Sequence, residues 1–181
     1  ISPSGSDEDF RRELELLDKY GVKAIVHDSR AQKIYKKLIA GSSGVFNIEK
    51  ASFIESYSDC SGFYGSEFVD EPGLVYFEEI GQAVHDYKSK FPDSVYYVNL
   101  SPSHVSNIQY TAGPNIFDIG DYDVSQNNFQ RYLDEYIRLV PLDYLCLDIY
   151  PFKLETMWDS YLNEMEIIAY TLRKAGREFW I

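Results

Sequence analysis

Cysteine is scarce in this sequence. The two present, Cys60 and Cys146, stand far apart with no C-x-x-C pair. That spacing excludes the usual zinc and dithiol redox motifs. Free thiols beside or within strands are expected, and a single disulfide stays open. Positive charge is also short, with 17 Lys and Arg against 29 Asp and Glu for a formal net charge of −12. No basic stripe is available to meet phosphates, so a nucleic-acid partner is not expected. No apolar run approaches the roughly 18 residues of a membrane helix, and no signal-peptide pattern opens the chain. These readings leave a soluble protein with no membrane span and an open localisation, secretion and the cell surface included. The P-loop, dinucleotide fingerprint, G-x-S-x-G elbow and H-E-x-x-H patterns are absent as well.

What is present is the balance of a globular domain. The 181 residues are 45% hydrophobic and 25% charged, enough for one α/β domain with a real core. Aromatics are abundant, with 16 Tyr and 11 Phe but only 2 Trp. Tyrosine offers a ring and a hydroxyl, which suits a polar, ring-shaped ligand; a Tyr-rich core and surface is the plainer account.

The order of patterns is more informative than the composition. Residues 8–20 put Phe10, Leu14, Leu17 and Tyr20 on one helical face, ended by Gly21. A short apolar strand at 22–26 follows, then helical stretches near 31–40 and 48–57. Strand 62–69 runs into Asp70-Glu71-Pro72-Gly73. The spacing of Phe77, Ile80, Val84, Tyr87 and Phe91 predicts a helix up to Pro92, before a strand at 95–100. A long loop spans about 101–124. A helix at 125–140, a strand at 143–148, a helix at 155–175 and a strand at 178–181 complete the chain. Five strands alternating with helices imply a parallel sheet.

An open doubly wound sheet and part of an eight-stranded barrel share this rhythm. A full barrel takes about 250 residues. The chain opens on a helix and closes on a strand, so the expected fold is an incomplete (β/α)8 TIM-barrel-like domain. It would hold about five β/α units across residues 1–181, lacking the first and last strands.

Parallel α/β folds build their sites at the carboxyl ends of strands. Here those ends read His27-Asp28-Ser29-Arg30, Asp70-Glu71-Pro72, Asn99-Leu100-Ser101-Pro102 and Asp148-Ile149-Tyr150-Pro151-Phe152. Polar residues at four ends, three with a proline, are the candidates for chemistry. The plain alternative is that Asp, Asn and Pro serve as caps and turns.

Gly62-Phe63-Tyr64 leading to Asp70-Glu71-Pro72, then Tyr97 to Pro102, then Asp143-Tyr144 through Asp148 to Phe152, resembles bacterial barrel glycoside hydrolases of the large retaining clan. In that clan an Asn/Asp-Glu-Pro sequence at the end of the fourth strand supplies the acid/base. The resemblance therefore assigns that role to Glu71 and makes strand 62–69 the fourth. It implies a carbohydrate substrate and no metal or organic cofactor. The clan's nucleophile follows the seventh strand, here 178–181, where the sequence stops. Asp148 is the other carboxylate at a strand's carboxyl end, a second catalytic candidate or a sugar-binding one.

The chemistry asks for such a group. A glycosidic oxygen leaves poorly unless a carboxylic acid delivers a proton, and a retaining enzyme needs a second carboxylate about 5–5.5 Å away. His27, Asp28, Arg30, Asp70, Asn99, Tyr150 and Trp180 are the substrate-binding candidates. His27 to Arg30 also suit a cap and salt bridge, Asp70-Glu71 a helix N-terminal turn, and Trp180 core packing. His85 and His104 are expected to face solvent. The acidic run Asp118 to Asp123 hints at calcium without the EF-hand spacing. The competing functions are a catalytically inactive barrel that binds carbohydrate or a protein partner, and an unrelated α/β enzyme holding a metal with Asp70 and Glu71. The oligomeric state is left open.

Overall fold

The structure is a computed structural model that describes residues 6–31, 33, 48–113, 125, 128–147, 149–150, 152–153, 156–157 and 161–180. The strands are β1 (Ala24–His27), β2 (Phe63–Asp70), β3 (Val95–Leu100), β4 (Tyr144–Leu147), β5 (Phe152–Lys153), β6 (Thr156–Met157) and β7 (Glu178–Trp180). The α-helices are α1 (Asp7–Lys19), α2 (Phe77–Lys90), α3 (Asn107–Ala112), α4 (Phe129–Leu139) and α5 (Tyr161–Ala175), with 3-10 segments at Ile48–Ser56 and Leu74–Tyr76. The fold is mixed α/β with a five-stranded parallel sheet in the order β1-β2-β3-β4-β7; β5 and β6 pair separately and antiparallel. Strands that are neighbours in the main sheet follow one another in the chain, apart from the small hairpin, so among the described residues the strand order does not reverse. No described helix is long and apolar enough to cross a membrane.

Contacts divide the chain into two units, residues 1–69 with 82–97 and residues 70–81 with 98–181. In the first, α1 begins on the acidic Asp7, Glu8 and Asp9, which favour a helix N-terminus, and buries Phe10 and Leu14. Its buried face stops short of Tyr20, which is 71% exposed, because Gly21 at φ +70° turns the chain away. The pairing of β1 with β2 sets Val26 beside Ser66 and His27 beside Glu67. Val26 and Ser66 are buried while the next pair is half exposed, as alternation along a pleat requires. The Phe68 and Tyr96 rings stack at 4.4 Å, and Tyr87 of α2 meets both edge-on. Phe10 stacks on Tyr57, which meets Phe63 edge-on.

In the second unit β3 pairs with β4 and β4 with β7, all parallel. Asn99, Cys146 and Trp180 fall in one register row across three strands. Helix α4 is capped by the Asn128 side chain, which accepts from the Arg131 amide, and buries Phe129, Tyr132, Leu133 and Tyr136. Phe77 packs against Tyr132 at 5.0 Å and Tyr136 at 5.3 Å.

Three expectations need correction here. The loop over 101–124 contains α3, started by a capping box in which Ser106 accepts from the Gln109 amide and the Gln109 side chain accepts from the Ser106 amide. The helix expected from 155 begins at Tyr161, and β5 and β6 occupy part of the interval. Its buried stripe is Glu164, Ile168, Thr171 and Leu172, with Leu162 64% exposed. The expected apolar stripe of Trp158, Leu162, Met165, Ile168 and Leu172 holds at Ile168 and Leu172, which are buried, and fails at Leu162, because a carboxylate and a hydroxyl share the buried face; Trp158 lies outside the described residues. The helix expected at 48–57 is a 3-10 segment kinked at Ala51. That expected near 31–40 lies mostly outside the described residues.

Candidate functional site

Glu71 follows directly on β2, half buried, and its backbone is unusual. At φ +47° it is the only non-glycine residue with positive φ among those described. A side chain in this left-handed region costs about 1–2 kcal/mol, so the surroundings must hold it there. Its N–H donates to the Asn99 carbonyl at 2.7 Å, tying the end of β2 to β3. Pro72 and Gly73 beyond it are buried, and Gly73 lies against the backbone of α3. A Cβ on Gly73 would meet the Ala112 carbonyl carbon and the Thr111 oxygen at 2.4 Å.

Two further contacts complete this strand end. The Asn99 side-chain amide donates to Asp70 Oδ1 at 3.0 Å, holding an exposed carboxylate beside Glu71. The Tyr132 hydroxyl donates to the Pro72 carbonyl at 2.7 Å, and the Ser101 amide donates to that hydroxyl at 3.4 Å. Burial holds the Tyr132 hydroxyl well above the usual tyrosine range, and the Glu71 carboxylate pushes it in the same direction. Tyr110, 5.1 Å from the Tyr132 ring, donates to the Pro102 carbonyl at 3.0 Å.

A small cleft, partly open to solvent, is lined by Pro102, His104, Ile149, Tyr150, Tyr161 and Glu164. It gathers residues that follow β3 and β4 and the first turn of α5. Tyr150 is 71% exposed, whereas Glu164 is buried. Glu164 also raises the Tyr110 hydroxyl, after the larger effect of burial.

The second unit thus brings Asp70, Glu71 and Asn99 into one connected group. Tyr150 lies in the cleft, and Trp180 is half buried with its ring stacked on Tyr144 at 4.8 Å. Asp148 and the acidic run Asp118 to Asp123 lie outside the described residues. The remaining candidates belong to the first unit. His27 Nδ1 lies 3.0 Å from Glu67 Oε2. Asp28 is buried and accepts from the Arg30 guanidinium at 2.8 Å, the Arg30 amide at 2.8 Å and the Tyr57 hydroxyl at 3.2 Å. Arg30 also reaches Asp7 at 2.6 Å, so the cap-and-salt-bridge description fits Asp28 and Arg30 as they stand. His85 and His104 are both exposed.

Among the described residues no group of three or more His, Cys, Asp or Glu side chains is placed to hold a metal ion. Both cysteines are free and buried. Sequence reasoning missed Tyr132 and Glu164, and met Ser101 only as part of the strand end 99–102. Tyr132 reads as an ordinary core position of an amphipathic helix; Glu164 was detectable only as a carboxylate three residues from Tyr161 and four from Ile168 on one helical stripe. Comparison with protein-family models, curated proteins and solved structures finds no match to this chain.

Proposed function

We propose that this chain is part of a (β/α)8-barrel glycoside hydrolase that cleaves O-glycosidic bonds with retention, Glu71 being its acid/base. The observation that carries the proposal is the left-handed backbone of Glu71 at the carboxyl end of β2. Strain of this kind persists where the surroundings over-determine it, and such places cluster at functional sites. The sheet supports the fold half of the reading. Parallel strands laid side by side in chain order are the winding of a barrel wall, whereas a doubly wound sheet reverses order at a switch point.

In this mechanism Glu71 gives its proton to the glycosidic oxygen as the bond breaks and later takes one from the attacking water. Asp70, with its acceptor oxygens aligned by Asn99, receives a sugar hydroxyl near the reacting carbon. Asp148 is the candidate for the second carboxylate. Neutral glycans are the substrate class, and the exposed Tyr150 ring offers a stacking surface for a sugar.

The test is hydrolysis of a panel of aryl glycosides by the protein and by Glu71→Gln. Positioned acid catalysis contributes about 10²–10⁴-fold, and a loss of that size is expected in a variant whose circular dichroism is unchanged. Equal turnover by the two proteins rejects the role of Glu71. Glycan binding without hydrolysis by either points to the non-catalytic binder instead.

A further inference from the structure

We infer that Tyr132 is the positioning residue for Glu71: its hydroxyl joins the Pro72 carbonyl to the Ser101 amide and so fixes the strained turn that carries the carboxyl. The inference rests on the reading of Glu71 as the proton donor.

A tyrosine hydroxyl has one proton to give and two lone pairs to offer. Here the proton goes to Pro72 O at 2.7 Å, and a lone pair takes the Ser101 N–H at 3.4 Å. The side chain cannot drift, because the residue is fully buried with its ring packed on those of Phe77 and Tyr110. Glu71 and Pro72 are consecutive, and each is tied to the end of β3 by a different route. Glu71 N–H reaches Asn99 O directly, while Pro72 O reaches Ser101 through Tyr132. Two ties on two residues are what a positive φ needs in order to persist at a side chain that would otherwise relax. Tyr132 does not touch the reacting atoms in this scheme. It acts through the backbone of residues 71–72.

The consequence is selective. Removing the hydroxyl frees the Pro72 carbonyl and lets the turn relax, displacing the Glu71 carboxyl by something on the order of 1 Å, which costs about 10²-fold where the displaced group is needed. A proton donor is needed most for a basic leaving group and least for an acidic one. Turnover of phenyl and 2,4-dinitrophenyl glycosides of one sugar should therefore be measured for the full chain, Tyr132→Phe, Tyr110→Phe and Glu71→Gln. Tyr132→Phe is expected to lose about 10- to 100-fold in kcat/KM on the phenyl glycoside and about twofold or less on the dinitrophenyl one. Glu71→Gln should show the same pattern, more strongly. Tyr110→Phe deletes another buried tyrosine hydroxyl, bonded to Pro102, and should affect both substrates equally.

A uniform loss in Tyr132→Phe, or none, overturns the positioning role if Glu71→Gln still shows the selective loss. No selectivity in Glu71→Gln, or no hydrolysis by the wild type, rejects the donor reading and the inference with it. Should Tyr132→Phe not fold, Gly73→Ala probes the same turn from its other side, since its Cβ would press on Ala112 and displace the segment next to Pro72. The selective loss is expected there too, and a uniform one overturns the inference.

Discussion

Replacing Glu71 by alanine and, separately, by glycine divides the cost of its backbone from the chemistry of its side chain. Alanine keeps a Cβ and therefore keeps the left-handed penalty at φ +47°, about 1–2 kcal/mol. Glycine removes that penalty but loosens the unfolded chain, at a cost of about 0.4–1 kcal/mol. The balance favours glycine over alanine by about 0.5–1 kcal/mol. At the exposed helical position Glu79 the order is the ordinary one, with alanine ahead by about 0.8–1 kcal/mol. Urea midpoints for the four variants give the answer directly. For a chain of this size each kcal/mol moves Tm by about 2–4 °C, so the gap at position 71 should be about 1–4 °C.

Both substitutions at 71 delete the carboxyl, so both should lose glycoside hydrolysis to the same extent while differing in stability. That divergence is the signature of a strained functional residue, stability and activity having been set against each other. The reasoning fails if Glu71→Ala unfolds at the same or a higher urea concentration than Glu71→Gly. In that case the turn carries no left-handed cost, and the observation that supports the proposed site loses its force.

Two predictions concern the supporting structure. Arg30→Met leaves the buried Asp28 with the backbone amide of residue 30 and Tyr57 as its donors among the described residues, and should destabilise by about 2–3 kcal/mol. That is below the 3–5 of a fully buried pair because the Arg30 side chain is 39% exposed. Adding Asp28→Asn should recover part of the loss, and a urea midpoint unchanged by Arg30→Met would remove the ion pair from the account. Burial pushes the Cys146 thiol up to about 12 and raises Cys60 as well. At pH 8 only about 10⁻⁴ of Cys146 is thiolate, against roughly a quarter of a free cysteine. Iodoacetamide should label neither thiol within minutes in the native protein and both in urea, as mass spectrometry can count; rapid labelling of the native chain would refute the burial.

The pattern of strands was legible because each is a short apolar run bounded by a breaker. Strand 95–100 matches the structure residue for residue, and 62–69 is offset by one. Elements carried by polar residues were not legible from hydrophobic rhythm. Helix α3 is defined by the Ser106–Gln109 capping box, a signal present in the sequence but short enough to pass for loop. The start of α5 was misplaced for the same reason, since Phe152 to Met157 alternates like a strand while the helix buries Glu164 and Thr171. Strand order cannot be read from a single sequence, because an open sheet and a barrel segment share one rhythm.

The candidate site was legible in the one respect that is local. Asp70, Glu71 and Pro72 are contiguous, and Asn99 sits at the next strand's end, so residue type and strand ends sufficed to group them. The supports are non-local: Tyr132 reaches back 60 residues to Pro72. Tyrosine abundance admitted both a ligand-facing and a core role, and among the described residues six of the twelve largest fully buried side chains are tyrosines. Three of them bond a residue just past a strand, one through a carboxylate and two through backbone carbonyls. Tyr57 bonds Asp28 just past β1, Tyr132 bonds Pro72 just past β2, and Tyr110 bonds Pro102 just past β3. A buried phenol must place its hydroxyl on a partner or bear the cost of desolvating it, and the first residues beyond a strand still carry polar groups outside the ladder. In both units, then, buried tyrosines, one in a turn and two on helices, also pin the carboxyl ends of strands, where an α/β protein carries its chemistry. A phenylalanine core of the same volume would pack as well and leave those ends without these ties.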